Sequence, residues 1–591
     1  MIVEGARVFN VYRKRFEDKS VLVSDGVIAA VGAGLPVPSG ELRLDASGAF
    51  LVPGLVDIHM HIESSMTIPS EFSRAVLPHG TTTVVADPHE IANVFGAEGI
   101  RAFMAAETAL DIFWGLPSSV PSTNAELETT GGRIGADDLA ALAADDRVLC
   151  LGEVMNAAEL IRGGDSPTKR VIDEFRRLKP RFPVEGHCPR ISGADLSAFI
   201  AAGVWADHTQ QTPASIIEKI DNGMFIELQR KSIDAANIAA ILGNGLIDQV
   251  CLVTDDVMPD QLETGHLNRL VALAVKAGMS AEDAIRCATY IPARHMGLRD
   301  RGAIAPGRIA DFILLDDADS FAIRAVYKRG LLVRGPLVRG PLIRGPLVRG
   351  GPAPGGMLSA ESAEGAEPKT VFPPHFRTSV RRKPLAESEF EVSAPEGFTG
   401  SEIACVAIKL DPKSTFTEKT SVLCAVSDGL IDWRSAGLSL IVAIERYGGE
   451  APLRFGWVEG ALTGEGAVAT TWAHDHHNLL VMGTSVSDMV LAANTLIAQQ
   501  GGYLVARDGT LVANAHLEIG GIVSDGPIGT LAREIRGVRK AMRALGYEHV
   551  NEIMSFSTLS LLVSPHLKIS DKGLVDVSTQ SIVENHEFPH I

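Results

Sequence analysis

The sequence predicts an α/β protein in which a TIM-like (β/α)8 barrel is joined to a composite β-sandwich domain and to a C-terminal α/β domain. Three observations predict this architecture. Eight short apolar runs alternate with helical stretches in the middle of the chain, and a β-rich segment precedes and follows that middle. A low-complexity connector then leads to a further mixed segment. With 591 residues, the chain is long enough for several domains of about 100–200 residues each.

Composition and charge exclude several classes of protein. The net charge is −18 and hydrophobic residues make up 46% of the chain, which is typical of a globular protein with several cores. Nucleic acid and anionic membrane surfaces would repel so acidic a chain, so we expect neither as a partner. No apolar run reaches the roughly 18 residues of a membrane helix, and the first residues lack the order of a signal peptide. Six scattered cysteines without a CxxC pair indicate reduced thiols in a cytoplasmic protein.

The β-sandwich is predicted from both flanks of the barrel. Residues 1–50 alternate apolar and polar side chains, as strands with one buried face do, and Asp25-Gly26 is a hairpin signal within them. A matching β-rich pattern returns at residues 301–333. We therefore expect 1–50 and 301–333 to pack together as one small domain.

The barrel is predicted for residues 51–300. Eight strand–helix units over about 250 residues fit a closed barrel better than the alternative, a doubly wound open sheet. The candidate strands are the apolar runs Leu51–Ile58, Thr82–Ala86, Ile112–Leu116, Val148–Val154, Phe182–Glu185, Gly203–Ala206, Met224–Leu228 and Val250–Thr254. The candidate helices include Ser70–His79, Ala136–Ala144, Ala194–Ala202 and Ala281–Ala288.

Residues 334–395 are predicted to be a low-complexity repeat and a linker. LVRGP, LVRGP, LIRGP and LVRGG follow one another within 329–351. Because proline and glycine at this spacing prevent a continuous helix, we interpret the repeat as a surface insertion. The alternative is a basic stripe that binds an acidic partner, since arginines recur in register. These are Arg334, Arg339, Arg344 and Arg349.

Residues 396–591 are predicted to form the C-terminal α/β domain. Amphipathic patterns predict helices at Asp488–Gln499 and Thr530–Leu545, with Thr530 as an N-cap. The string HDHHN at 474–478 places three histidines and an acid close together. Three interpretations stay open: a lid that completes a pocket at the barrel mouth, an independent metal site, and a polar turn whose side chains satisfy one another.

A cluster of metal-ligand residue types is the strongest chemical signal. His59-x-His61 ends an apolar run, and residues i and i+2 of a strand point to the same side. Further ligand types end other candidate strands, and the carboxyl ends of barrel strands converge on one face. Four imidazoles and two carboxylates fit a pair of divalent ions, and zinc, manganese and iron all accept such ligands. The predicted ligands are His59, His61, Glu153, His187, His208 and Asp255.

Two weaker signals lie near these residues. Asp87-Pro88-His89-Glu90 follows the second candidate strand on the same face. It would bind substrate or a further cation, or Asp87 or Glu90 would cap the following helix. Asp256 adjoins Asp255, and we interpret it as an acid behind the ligands rather than as a ligand.

The motifs resemble those of a known family. LVPGLVDIHMHIESSM is similar to the amidohydrolase superfamily, and TTTVVADPHEIANVFG, GEVMNA, GHCPRISGADLSAFIAAGV and TDDVMPDQLETGH resemble the adenine deaminases within it. VEGALTGEGAVATTWAHDHHNLLVMGTSVSDMVLAAN resembles that family's C-terminal signature, so the similarity covers the chain except about 334–370. It implies a metal-dependent hydrolase barrel, a C-terminal domain particular to the family, and hydrolysis of adenine to hypoxanthine and ammonia in purine salvage. The alternative is an amidohydrolase acting on another aminated heterocycle or a cyclic amide, or a weakly active relative.

The resemblance also implies a binuclear manganese or ferrous-iron centre, with zinc as a further option. His59 and His61 would hold one metal with Asp255, His187 and His208 would hold the other, and Glu153 would bridge. Asp255 and Glu153 are the predicted catalytic residues, with Asp255 carrying a proton from the attacking hydroxide to the departing amine. The acid that serves the purine ring nitrogen stays open among Glu153, Asp256, Glu90 and Asp475. The predicted substrate-binding residues are Ser65, Asp87, Glu90, Asn156 and Asp475.

This sequence departs from the family pattern at two places. Thr209 stands where the family usually has glutamate, and Tyr447 stands where it usually has histidine. Both changes lie in strings that otherwise match the family.

We expect a symmetric homodimer, because such dimers are the commonest soluble assemblies.

Overall fold

The structure is a computed structural model of the chain, and it describes residues 1–36, 41–335, 370–449 and 451–587. Most of the arginine repeat therefore lies outside the described residues. Among the helices of the described ranges, none combines the length and the apolar character that crossing a bilayer requires.

The N-terminal segment folds as short strands that belong to two sheets. One sheet has the order β5-β4-β1-β6, and the strands β2, β3 and β7 belong to the other. The predicted hairpin is present, because Asp25 and Gly26 have φ values of 51° and 75° and join β4 to β5. The strands are β1 (Ile2–Glu4), β2 (Arg7–Asn10), β3 (Arg15–Asp18), β4 (Ser20–Ser24), β5 (Val27–Gly32), β6 (Arg43–Asp45) and β7 (Phe50–Pro53).

Eight strands then form the barrel. Parallel ladders join β8 to β12 and β13 to β15. The Trp205 N–H donates to the Val184 carbonyl at 3.2 Å, and the Asp255 N–H donates to the His59 carbonyl at 3.1 Å, so the two ladders meet on both sides. The strands are β8 (Leu55–Met60), β9 (Thr81–Ala86), β10 (Asp111–Leu116), β11 (Val148–Val154), β12 (Val184–Gly186), β13 (Ala206–Asp207), β14 (Phe225–Leu228) and β15 (Val250–Leu252).

The first predicted strand is wrong in one respect. The run Leu51–Ile58 is two strands, because β7 pairs within the sandwich and β8 begins the barrel. Gly54 separates them, and a Cβ at this position would lie 2.3 Å from the Thr82 Oγ1 atom. The crossing of the chain from one domain to the other therefore needs a residue without a side chain.

Helices surround the barrel and lie between its strands. Four of them correspond to the four predicted helical stretches, to within a few residues at each end. They are α1 (Pro69–Val76), α2 (His89–Met104), α3 (Ala136–Leu142), α4 (Ala157–Arg162), α5 (Pro167–Leu178), α6 (Gly193–Ala201), α7 (Pro213–Asp221), α8 (Ala235–Gly243), α9 (Pro259–Leu262), α10 (Leu267–Lys276), α11 (Ala281–Cys287) and α12 (Tyr290–His295).

The chain returns to the sandwich after the barrel. Strands β16 (Phe312–Asp317), β17 (Ala322–Lys328) and β18 (Leu331–Arg334) complete the second sheet, whose order is β18-β17-β16-β7-β2-β3. Strand β16 is antiparallel to β7, which is the strand that leads into the barrel. Both flanks of the barrel therefore contribute to one sheet.

The C-terminal domain is built on a large mixed sheet. Its order is β21-β20-β19-β23-β22-β25-β24-β26-β27, with β31 beside β19, and β28-β29-β30 form a separate sheet. The strands are β19 (Glu402–Leu410), β20 (Thr417–Ser427), β21 (Leu430–Asp432), β22 (Leu438–Ile444), β23 (Arg454–Glu459), β24 (Ala467–Thr470), β25 (Leu479–Gly483), β26 (Gly502–Arg507), β27 (Thr510–His516), β28 (Leu567–Ser570), β29 (Gly573–Asp576), β30 (Ser581–Val583) and β31 (His586–Glu587). The helices are α13 (Val486–Gln499), α14 (Ile528–Ala544) and α15 (Glu552–Ser557).

Two details of this region differ from expectation. Helix α14 begins at Ile528, so Thr530 lies inside the helix and Pro527 is the N-cap residue. Residues 370–395, which were expected to belong to the linker, pack closely: Phe376 stacks on Phe95 of the barrel with ring centroids 3.8 Å apart, and Phe390 is buried in the C-terminal core. Burial of aromatic side chains fixes this segment in place despite its polar composition.

The C-terminal domain docks against the mouth of the barrel. The Trp472 indole N–H donates to the Glu63 carbonyl at 3.1 Å, and the Thr129 N–H donates to the Asp571 carboxylate at 2.8 Å. Arg539 pairs with Asp260 of helix α9 at 2.9 Å. These contacts place residues of the C-terminal domain over the carboxyl ends of the barrel strands.

Candidate metal centre and active site

The six predicted ligands lie together at the carboxyl ends of the barrel strands. Glu153, in β11, is at the centre: its carboxylate lies 3.4 Å from His61 Nε2, 2.8 Å from His187 Nδ1 and 3.3 Å from His208 Nε2. Asp255 Oδ1 lies 3.6 Å from His61 Nε2. The His59 ring stacks on that of His208 with centroids 3.8 Å apart.

The electrostatics of this cluster suit bound cations. Burial alone would raise the pKa of Glu153, but the neighbouring His208 and His187 hold it well below its usual range. Burial and the nearby His59 hold the pKa of His208 well below its usual range, which keeps that imidazole neutral. An ionised carboxylate and a neutral imidazole can bind a metal directly. Although burial opposes it, Glu227 raises the pKa of His59 and Glu153 raises that of His187, so these two imidazoles would release a proton when a metal binds.

The donor atoms also fit a metal by position. His59 Nε2 and His208 Nδ1 are buried and have no hydrogen-bond partner. The sets His59–His208–Asp255 and Glu153–His187–His208 each bring their ligand atoms within 4.8 Å of one another. Buried polar atoms are almost always paired, so these unpaired imidazole nitrogens fit a site that a cation would complete.

A buried ion pair supports two of the predicted ligands. Asp207, which precedes His208, accepts hydrogen bonds from Lys219 Nζ at 2.7 Å and from the Cys188 N–H at 3.0 Å. Although burial opposes it, Lys219 holds the pKa of Asp207 below its usual range. Cys188 directly follows His187 and Asp207 directly precedes His208. The hydrogen bond between them therefore joins the two segments that carry these histidines.

The departure at Thr209 belongs to this network. Its Oγ1 atom donates to Asp207 Oδ2 at 2.9 Å. Thr209 also lines the cavity described below. Thr209 therefore supplies a hydroxyl that donates to the Asp207 carboxylate, at a position where the family pattern has glutamate.

A cavity of about 560 Å³ opens onto the centre. The barrel contributes His61, Glu153 and Asp255 to its lining, and the C-terminal domain contributes Phe416 and Met554 among others. Arg190 of the barrel lies over the Phe416 ring at 4.3 Å from its centroid, which joins the two domains at the rim. The site is therefore built by both domains.

The HDHHN segment reaches the barrel mouth, as the lid interpretation predicts. His474 Nδ1 lies 2.6 Å from Glu90 Oε1, and His477 Nε2 contacts the other oxygen of the same carboxylate. His474 and Asp475 line the cavity beside Glu90. The Tyr447 hydroxyl donates to the His476 carbonyl at 2.7 Å, so the second departure supports this segment from behind.

The predicted substrate-binding residues divide into two groups. Glu90 and Asp475 line the cavity. The other three are engaged elsewhere: Ser65 Oγ donates to the Val257 carbonyl at 2.7 Å, and Asn156 caps helix α4 by accepting from the Glu159 N–H. The third, Asp87, accepts from the Glu153 N–H at 3.0 Å, so it positions the central carboxylate.

Sequence reasoning missed Glu227 and singled out His89 only as part of the motif Asp87-Pro88-His89-Glu90. Glu227 Oε2 lies 3.3 Å from His59 Nδ1, which orients that ring with Nε2 toward the centre. His89 lies between Asp87 Oδ2 at 3.6 Å and Glu153 Oε1 at 3.8 Å. Glu227 is the last but one residue of β14, so a search for ligand-type residues near strand ends could have found it.

A buried lysine behind the rim gives a prediction about pH. Lys568 Nζ donates to the Thr415 carbonyl at 2.8 Å, next to Phe416, and burial lowers its pKa from 10.5 to about 7. Between these two values the unfolded chain binds a proton that the folded chain does not, so this group makes stability rise with pH. We expect Lys568→Met to raise the Tm at pH 7 and to remove the increase of stability with pH that this lysine causes.

The measurement compares melting temperatures at pH 7 and pH 9 for wild type, Lys568→Met and the exposed control Lys540→Met. The control should follow wild type at both pH values. A Tm of Lys568→Met that lies below wild type at pH 7, with the pH dependence retained, would contradict the assignment.

A parallel barrel whose mouth holds four imidazoles and two carboxylates defines the class of metal-dependent barrel hydrolases. Residues 50–187 and 184–333 match the amidohydrolase family, and residues 414–581 match the adenine deaminase C-terminal domain. An adenine deaminase of Clostridium perfringens is 47% identical over 99% of this chain and 98% of its own. An adenine deaminase of Lactobacillus delbrueckii subsp. bulgaricus is 43% identical over 98% of each chain.

The chain belongs to the adenine deaminase family. The predicted fold class and family are therefore confirmed, and membership of the amidohydrolase superfamily implies a divalent metal site.

Proposed function

We propose that the protein hydrolyses adenine to hypoxanthine and ammonia. The observation that carries this function is the shared cavity, in which the carboxylate and imidazole cluster of the barrel faces a wall from the C-terminal domain. Relatives named adenine deaminase align with both parts from end to end. A cavity of about 560 Å³ accommodates a purine with room for ions and water.

We further propose that His59, His61 and Asp255 hold one divalent ion, that His187 and His208 hold a second, and that Glu153 bridges them. Manganese or ferrous iron suits this donor set, and zinc is a further option. Ions held there would supply a water of lowered pKa at neutral pH.

The chain's own residues would move the protons. Attack by the water oxygen would form a C6–O bond while the C6=N1 double bond becomes a single bond and N1 takes up a proton. The bond from C6 to the amino nitrogen would then break, the C6 hydroxyl would lose its proton to become the carbonyl of hypoxanthine, and ammonia would leave. Asp255 would accept the proton of the attacking water and deliver it to the departing amine. Burial and the neighbouring Asp256 raise the pKa of Asp255 in the metal-free site.

The remaining residues would shape the pocket. Glu90 of the barrel and Asp475 of the C-terminal domain form its polar wall, and Phe416 offers an aromatic face at the rim. Asp87 would position Glu153, while Ser65 and Asn156 would hold the surrounding segments through the contacts described above. We expect a homodimer in the cytoplasm, and the six free, buried cysteines support a reducing compartment.

Ammonia release tests the function. Protein reconstituted with manganese should release ammonia from adenine, with guanine, cytosine and adenosine assayed alongside. Turnover of adenine with little or none of the other three would support the proposal. Activity on another of these compounds without activity on adenine would overturn it.

A further inference from the structure

Four more ligand-type atoms form a closed ring beside the central cluster, where the barrel meets the C-terminal domain. His89 and Glu90 begin helix α2, and His474 and Asp475 come from the C-terminal domain. Nitrogen and oxygen alternate around the ring. Its sides are 3.7 Å from His89 Nε2 to Glu90 Oε1, 2.6 Å to His474 Nδ1, 3.2 Å to Asp475 Oδ1 and 3.9 Å back to His89 Nε2.

The size of this ring fits one ion. Four ligands placed tetrahedrally at about 2.0–2.2 Å from a metal lie about 3.3–3.6 Å from one another. The sides of the ring bracket that separation. The corresponding distances in the central cluster, from 2.8 to 3.6 Å, fall within the range that the ring spans.

Burial makes an uncompensated ring unfavourable. Each of the four residues is at most 4% exposed. Among the described residues, the ion pairs of Glu90 and Asp475 are all with histidines, and Asp475 Oδ2 has no hydrogen-bond partner. Two buried carboxylates whose ion-pair partners are all imidazoles are neutralised either by protons on those imidazoles or by a bound cation.

The surroundings of the ring are those that metal ligands usually have. A ligating histidine commonly directs its other nitrogen to a carboxylate, and His89 Nδ1 faces Asp87 Oδ2 at 3.6 Å. A ligating carboxylate is commonly held by a further group, and His477 Nε2 contacts the second oxygen of Glu90. Both ligands from the barrel are therefore oriented by neighbours outside the ring.

We propose that His89, Glu90, His474 and Asp475 bind a third divalent cation, separate from the pair at the central cluster. Mixed imidazole and carboxylate ligands suit zinc, manganese or ferrous iron. Because two ligands come from each domain, the ion would fix the C-terminal wall of the cavity to the barrel. This inference does not rest on the proposed function, since the site can be occupied whatever substrate the cavity takes.

Metal analysis of the full-length protein tests the proposal. After reconstitution with manganese and removal of free ion, we expect three ions per wild-type chain and two per chain of His474→Gln. His476→Gln is the matched control, because His476 Nδ1 accepts from the Asn478 N–H at 3.0 Å and belongs to the same segment but not to the ring. It should keep three. An unchanged count in His474→Gln would overturn the proposal.

Anomalous scattering from manganese in crystals of wild-type protein tests the same site without a substitution. We expect a peak within about 2.0–2.2 Å of His89 Nε2, Glu90 Oε1, His474 Nδ1 and Asp475 Oδ1. Peaks at the central cluster with none inside the ring would show that the four residues form a hydrogen-bonded network only.

Discussion

Asp255→Asn is expected to lower kcat for adenine by about 10²–10⁴-fold, which is the usual contribution of a general acid–base group. Asparagine keeps an oxygen for the metal but cannot accept and return a proton. Asp255 Oδ1 lies 3.6 Å from His61 Nε2, so the substitution acts directly at the centre. Asparagine has the same size as aspartate, so the packing around residue 255 is preserved. Steady-state kinetics with adenine measure the effect.

The exposed Asp221, at the end of helix α7, supplies the matched control. Asp221→Asn should retain wild-type turnover, and ion analysis of both variants shows whether the centre is still loaded. Near-wild-type activity of Asp255→Asn with its ions bound would contradict the role of Asp255 as proton carrier.

Lys219→Met is expected to destabilise the protein by about 3–5 kcal/mol, the usual cost of removing one partner of a buried ion pair. Asp207 is fully buried and Lys219 Nζ lies 2.7 Å from its carboxylate, so the substitution leaves a buried charge without its cation. The change in the free energy of unfolding is measured from the denaturant transition of the barrel.

The double variant Asp207→Asn/Lys219→Met separates the charge effect from the packing effect. Since neither residue 207 nor residue 219 then carries a charge, the double variant should recover part of the lost free energy of unfolding. The exposed control Lys276→Met should lose no stability. A loss below about 1 kcal/mol in Lys219→Met, as for a surface ion pair, would contradict the account.

Local patterns were sufficient to predict the barrel and to bring its six candidate metal ligands to one mouth. His59 lies in β8 and His61 directly follows its last residue, while Glu153, His187, His208 and Asp255 each lie near the end of a strand or follow one. In a barrel these positions converge whatever the details of packing. The sequence signal is therefore a consequence of strand periodicity and of the fold.

Contacts between distant segments could not be predicted in this way. Asn156 and Ser65 carry groups that suit a ligand and a backbone partner equally well, and only the packed structure shows that backbone groups take them. Similarly, no local pattern brings Glu90 to His474, since these residues belong to different domains. The split of Leu51–Ile58 into two strands depends on Thr82, which lies in the neighbouring strand.

The origin of the oxygen in the product tests the central claim most directly. We would incubate the manganese-reconstituted protein with adenine in water enriched in oxygen-18 and analyse the purine product by mass spectrometry. Water attack at C6 predicts hypoxanthine that carries one oxygen-18 atom, formed in equal amount to ammonia. Adenine left unchanged by the fully loaded protein, or hypoxanthine without the label, would contradict hydrolytic deamination at this centre.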